Sequence, residues 1–294
     1  MSSPDEEIYP PWGSLPVEAY ILQNWDASSS EEPAKQRKKL VQAYIKTSPL
    51  DRLSLSPVTP SQDQIETILV PWRTMFQRDI VSEQGELGCV WLRTDYSEGT
   101  DDAHESLVEN VDFCIVVDDE DRLLDDEELY NFGDDWKRIL DVFPELVNSD
   151  GAYATHQEFL QEAEDFLIKG KAYLAGGDIP DSSFEWIDSI KNNSPAAEAD
   201  QTIMGMLWSS VHRECVANYL IVEDKKALET KQLLIVFIDA FGRVVRWSRF
   251  GSGEAEQMAG SWFAGGWSDL EEWEEGVIGE DYQVGGVCGH LLHM

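Results

Sequence analysis

A chain of 294 residues with 42% hydrophobic residues and eleven tryptophans can bury a sizeable core and is globular rather than disordered. It carries 57 acidic against 22 basic residues, a formal charge of −35. That field makes nucleic acid and anionic membranes poor partners and favours cationic ones, such as basic proteins, basic peptides or metal ions.

Residues 1–33 mix Pro, Ser and acids with Tyr9, Trp12, Tyr20 and Trp25. Disordered tails carry few aromatics, so this stretch is expected to wrap the body and dock through its rings. It has no signal-peptide pattern, and no apolar run in the chain reaches membrane-spanning length. The four cysteines (Cys89, Cys114, Cys215 and Cys288) are far apart and form no CxxC. The expectation is a cytoplasmic protein with reduced thiols. Lys35–Ile45 reads as a short helix whose basic cluster pairs with the acidic body. Residues 47–60 hold three prolines and read as a loop, completing an N-terminal extension over 1–60.

A core domain is expected over 61–275. Ser61 and Gln64 make a capping box ahead of Ile65, Ile68, Leu69, Trp72 and Phe76, and Pro71 should kink or split that helix. Glu83–Gly88 reads as a turn. Cys89–Thr94 is a core strand, Asp95–Thr100 a loop, Asp101–Val111 a short helix and Asp112–Val117 a second strand. Residues 95–135 hold 17 acids and one base, which must lie largely at the surface because unpaired buried carboxylates are costly.

Asp134–Leu146 places Trp136, Ile139, Leu140 and Phe143 on one helical face. Thr155 caps a helix with Phe159, Phe166 and Leu167 inward, and Ser183–Ile190 is a brief helix. Ala196–His212 is a long one with Ile203, Met204, Leu207 and Val211 as its buried stripe. Val216–Val222 is a third strand.

The strongest signal is Leu233–Ile238, a nearly continuous apolar run. Turn residues Asp239–Gly242 follow, then Arg243–Trp247, which together read as a β-hairpin. Glu254–Trp262 is helical, and the Gly-rich tail over 276–294 is expected to pack weakly. The fold class is therefore α+β: a single mixed or antiparallel sheet of about five strands covered by helices.

Leu92-Arg93-Thr94-Asp95-Tyr96-Ser97, together with Leu233–Ile238 and Gly242-Arg243-Val244-Val245-Arg246, resembles an uncharacterised domain family of bacteria and fungi. Its members open on a strand ending in LRTD(F/Y)S and close with a GRxxR hairpin. The resemblance spans residues 87–275 with a helical insertion. It implies the strand assignments and carries no catalytic residue.

Familiar catalytic motifs are absent. There is no G-x-S-x-G elbow and no P-loop. Gly251-Ser252-Gly253 begins like a dinucleotide motif but has Glu256 at the third position and follows a hairpin. An EF-hand frame from Asp119 fails because Leu124 stands where glycine is needed. Cys288, His290 and His293 offer three metal ligands without a clear fourth. His212 and Cys215 share a helix face but lack a third orienting group. No metal site and no cofactor is expected.

The candidate binding residues are Arg93 and Asp95 at a strand end, Arg243 and Arg246 on the hairpin, and the aromatics Trp247, Trp262 and Trp267. In a regular strand Arg243 and Arg246 point to opposite faces, so only a bulge lets them meet. Arginine suits bidentate pairing with carboxylates or a small anion, and clustered exposed tryptophans mark protein interfaces. The expected function is a protein-binding module, inhibitor-like, immunity-like or regulatory, for a basic partner. The alternatives are an enzyme using carboxylates among Asp95, Asp112 and Asp118, and a structural module masked by its own N-terminal segment.

Overall fold

The structure is a computed structural model describing residues 10–73, 78, 90–109, 122–148, 156–177, 184–193, 195–263 and 271–289. The strand expected over Asp112–Val117, the turn over 83–88, Asp118, Thr155, Trp267, His290 and His293 lie outside these residues, as do Tyr9, Cys89 and Cys114.

Six strands form one mixed sheet: β1 (Val90–Arg93), β2 (Leu123–Leu124), β3 (Asn218–Glu223), β4 (Gln232–Ile238), β5 (Val244–Gly251) and β6 (Val277–Ile278), in the order β2-β1-β3-β4-β5-β6. β1 is parallel to both β2 and β3, and the remaining neighbours are antiparallel. The α+β class stands, with six strands in place of about five. β2 and β6, which the sequence did not announce, are two-residue edges, too short to leave a periodic signal.

The central strands are buried on both faces, which explains their unbroken apolar runs. One face presents Trp91, Tyr219, Ile221, Leu233, Ile235 and Phe237 to a first core, and the other presents Val90, Leu92, Leu220, Val222, Leu234 and Val236 to a second. The helices fall accordingly. α1 (Pro16–Asn24) and α2 (Pro33–Ile45), each opened by a proline, cover the second face through Val17, Ile21, Val41 and Tyr44. α3 (Asp101–Glu109), α4 (His156–Leu174), α5 (Glu185–Asn193) and α6 (Ala196–Glu214) cover the first. In α6, Ile203, Leu207 and Val211 recur every fourth residue and are fully buried. α7 (Lys225–Thr230) joins β3 to β4, capped by Asp224 and closed by Lys231 at φ 59°. α8 (Ala255–Phe263) follows β5.

Several local expectations change. The Ser61–Gln64 capping box forms, and the helical run it opens stops at Leu69, ahead of Pro71, as the expected split requires, with Phe76 outside the described residues. The helix expected over Asp134–Leu146 is broken into Trp136–Arg138, Ile139–Val142 and Glu145–Asn148. Pro144 causes the break after Val142: it bars the preceding Phe143 from the α region, and Phe143 sits at φ −125°, ψ 70°. The described part of the C-terminal segment, 276–289, is anchored into the core at two points although Val284 and Val287 are exposed. Tyr282 and Cys288 are fully buried in the first core. Isolated large residues among glycines hid this, because they give no period to read.

The N-terminal segment docks through Trp12, Tyr20 and Trp25 against the second core. It is also tied by charge. Buried Glu18 accepts from the Gly13 N–H at 2.7 Å and lies 3.3 Å from Arg78 Nε. The Arg78 guanidinium stacks 3.9 Å from the Trp12 ring centre and donates to the Pro10 carbonyl. Beside it, buried Arg73 pairs with Glu145 and stacks on Phe143.

Candidate functional site

Parallel strands converge their carboxyl ends on one edge, the usual place for chemistry in such sheets. There β1, β3 and the residues after β2 bring together Arg93, Glu223 and Asp125, and α3 adds His104. Trp91, Arg93 and Glu223 project to the same face because they alternate along paired strands. Glu223, fully buried, accepts from the Trp91 indole at 2.9 Å and meets His104 Nδ1 at 2.9 Å. His104 Nε2 lies 3.3 Å from Asp125. Arg93 pairs with Asp101 at 2.7 Å, lies 3.6 Å from Asp125 and stacks on Tyr96.

Both imidazole nitrogens thus face carboxylates. Asp95 caps its own turn, accepting from the Ser97 N–H at 3.0 Å, while its backbone carbonyl accepts from Arg93 Nε. Sequence reasoning found Arg93 and Asp95 here but missed His104, Asp125 and Glu223. Their only sequence signal is an acid or histidine next to strand ends, which an acidic chain offers at many places.

Arg243 and Arg246 lie at the opposite end of the sheet, near the start of β3. The register pairs Phe237 with Arg246 and Ile238 with Val244, so Val245 is an extra residue in β5. This bulge puts both arginines on the first-core face. Arg243 pairs with fully buried Asp239 at 2.6 Å. Asp239 also accepts from Tyr282, whose ring meets His212 edge-on at 5.6 Å. Arg246 Nε reaches His212 Nδ1 at 3.4 Å, and its Nη1 donates to the Trp273 carbonyl at 2.7 Å.

Burial, with Arg246 adding to it, lowers the His212 pKa to about 3. Burial likewise raises the thiols of Cys215 to about 12 and Cys288 to about 11. His212, Cys215 and Cys288 are closed off from solvent, and around them Arg243 is committed to Asp239 and Arg246 to His212 and the Trp273 carbonyl.

Trp247 points to the other face and lines a cleft of about 330 Å³. Leu234, Val236 and Val244 form its floor, Trp136 and Trp247 its aromatic walls, and Glu280 and Asp281 its acidic rim. Lys137 and Arg249 also line it. Arg249 is committed to Asp224 at 2.8 Å, and the Lys137 amine lies 6.0 Å from the Trp136 ring centre. Among the described residues, Glu280 and Asp281 have no basic partner. Gly279 lets this rim approach: a Cβ there would collide with the Val244 carbonyl. Trp247 was legible as a candidate, whereas Glu280 and Asp281 were hidden in what reads as a tail. The Trp262 side chain and Trp267 lie outside the description, and Trp273 is core.

Among the described residues, no group of three or more His, Cys, Asp or Glu side chains is placed to hold a metal ion, and no helix is long and apolar enough to cross a membrane. No protein-family model, curated protein or solved structure matches the chain. The likeness at Leu92–Ser97 and Gly242–Arg246 therefore rests on those residues alone.

Proposed function

We propose that the protein is a binding module that docks a basic peptide segment of a protein partner in the Trp136–Trp247 cleft. The observation that carries this reading is the pairing of two tryptophan walls with the unpartnered acids Glu280 and Asp281. Tryptophan packs against apolar side chains and offers its ring face to cationic ones, and the rim carboxylates add attraction for the same cations. The net charge of −35 steers basic partners toward the whole surface, so the cleft need only supply orientation.

An inhibitor-like or immunity-like role toward a basic protein fits the same surface. A reducing, cytoplasmic setting suits the buried free thiols Cys215 and Cys288. An enzymatic role at the strand ends is less favoured, because His104 is engaged on both nitrogens and Asp95 caps a turn. A self-masking role for the N-terminal segment is also less favoured, because its Glu18 and Trp12 are held by buried Arg78.

The test is a fluorescence titration with a nine-residue peptide of Lys, Arg and Leu against its Glu-for-Lys/Arg counterpart. The basic peptide is expected to bind with an affinity that falls steeply between about 50 and 200 mM salt, as screening weakens steering and rim contacts alike. Trp247→Ala is expected to weaken it about tenfold or more, the usual cost of losing a central aromatic anchor. Equal binding of the acidic peptide, or an unchanged affinity in Trp247→Ala, contradicts the reading.

A further inference from the structure

The Trp136–Trp247 cleft holds about 330 Å³, the small end of ligand sites of roughly 300–1,000 Å³, so one long side chain enters it rather than a run of residues. The chemistry of that side chain follows from how the protein fills its own aromatic and acidic corners.

Where the described structure brings a ring and a carboxylate to one cation, the cation is a guanidinium. Arg78 lies 3.9 Å from the Trp12 ring centre and 3.3 Å from Glu18. Arg93 lies 4.5 Å from the Tyr96 ring centre and 2.7 Å from Asp101. Arg52 lies 5.7 Å from the Tyr44 ring centre and 2.8 Å from Asp141. A guanidinium is planar and weakly hydrated, so its face rests on a ring while its edge N–H groups reach a carboxylate. An ammonium is a compact, strongly hydrated point charge that does not divide itself in this way. The lysines behave accordingly. Lys38 bridges Asp126 and Glu128 at 2.8 Å each without a ring, and Lys137 lies 6.0 Å from the Trp136 ring centre without a carboxylate among the described residues.

The cleft repeats the ring and the acids of this arrangement and lacks the cation. Trp247 is partly exposed, and no cation among the described residues lies over its ring. Glu280 and Asp281 line the same cleft without a basic partner among those residues. The cationic residues of the cleft itself do not fill the gap, since Lys137 lies toward Trp136 and Arg249 is held by Asp224 at 2.8 Å.

We propose that the partner inserts an arginine here in preference to a lysine. Its guanidinium lies flat against Trp247 with its edge turned to Glu280 and Asp281, and its methylenes cover Leu234 and Val236. This inference rests on the reading of the cleft as a docking site for a basic peptide and adds the residue that the cleft selects.

Fluorescence titration of the full chain with two end-blocked peptides of equal length and charge, one with Arg and one with Lys between leucines, tests this. The salt is held at about 150 mM, where the long-range attraction common to both peptides is screened. The arginine peptide binds about fivefold more tightly. Trp247→Leu keeps an apolar wall, removes the ring and brings the two affinities within about twofold of each other. Should Trp247→Leu fail to fold by circular dichroism, the double variant Glu280→Gln/Asp281→Asn takes its place and narrows the preference in the same way. Equal affinities in the wild-type protein, or a tighter lysine peptide, overturn the selection of arginine. If that binding is still weakened in Trp247→Ala, the docking cleft itself stands. A preference that persists unchanged in the folded variant also overturns the selection, and binding of neither peptide overturns both readings.

Discussion

The Tyr282 hydroxyl donates to Oδ2 of Asp239 at 2.9 Å, joining the C-terminal segment to the turn of the β4–β5 hairpin. The other carboxylate oxygen of Asp239 accepts from the backbone N–H groups of Phe241 and Arg243, so one buried side chain both shapes the turn and anchors the last described residues. Tyr282→Phe keeps the ring and removes the donor. It is expected to lower stability by about 1–2 kcal/mol, read as a shift in urea midpoint at constant slope. Asp239→Ala leaves the Arg243 guanidinium without its carboxylate and the turn without its acceptor, and is expected to cost about 3–5 kcal/mol.

The same region contributes to the pH dependence of the fold. Burial pushes Cys215 up to about 12 and Cys288 up to about 11. Between the ordinary thiol value of about 8.5 and these values, the native state holds protons that the unfolded chain has released. The thiols therefore favour the fold fully below about pH 8.5, and stability declines above it by about 1.4 kcal/mol per pH unit for each. His212 acts at the other end. Its pKa is lowered to about 3, so below the ordinary value of about 6.5 the unfolded chain binds a proton that the native state refuses. Its contribution is complete above pH ~6.5 and is lost as pH falls toward 3. Urea midpoints across pH check both: Cys215→Ala is expected to flatten the alkaline limb and His212→Leu the acid limb.

At the N-terminal side, Glu18 lies 3.3 Å from Nε of the buried Arg78 guanidinium. Glu18→Ala removes a buried negative charge that acts on both Arg78 and Arg73. The expected loss is about 3–5 kcal/mol in equilibrium unfolding, well above the cost of an exposed ion pair. A change within about 0.5 kcal/mol contradicts the picture of a structurally tied segment.

Gly279 places the acidic rim against β5, and no side chain fits between it and the Val244 carbonyl. Gly279→Ala is expected to displace β6 and the rim residues Glu280 and Asp281, weakening peptide binding while β3 and β4 keep their amide-exchange protection. By contrast Gly242→Ala strains a backbone at φ 74° and meets Leu140 at 2.6 Å, so it is expected to destabilise the whole fold.

How much of this was legible depended on periodicity. The hairpin, α6 and the capping box at Ser61 announce themselves through apolar runs, i to i+4 recurrence and paired polar caps. β2 and β6, with two residues each, carry no period, and Pro144 broke a helix whose apolar face alone looked continuous. The site residues divide in the same way. Arg93 stood out as a charged residue at a strand end, and Trp247 as one of several tryptophans toward the C-terminal end of the chain. Glu223, His104 and Asp125 meet only through the parallel pairing of β1 with β2 and β3 and the packing of α3, and Arg243 and Arg246 share a face only because Val245 is bulged. Register and bulges are tertiary outcomes that single-strand patterns do not encode.

The most direct measurement is the amide and indole nitrogen–proton spectrum of the labelled full chain during titration with the basic Lys/Arg/Leu peptide. The indole signals of Trp136 and Trp247 are expected to shift together with the amides of Glu280 and Asp281, while the buried indole of Trp91, bound to Glu223, stays in place. A peptide that binds yet leaves Trp136, Trp247, Glu280 and Asp281 unmoved contradicts the account.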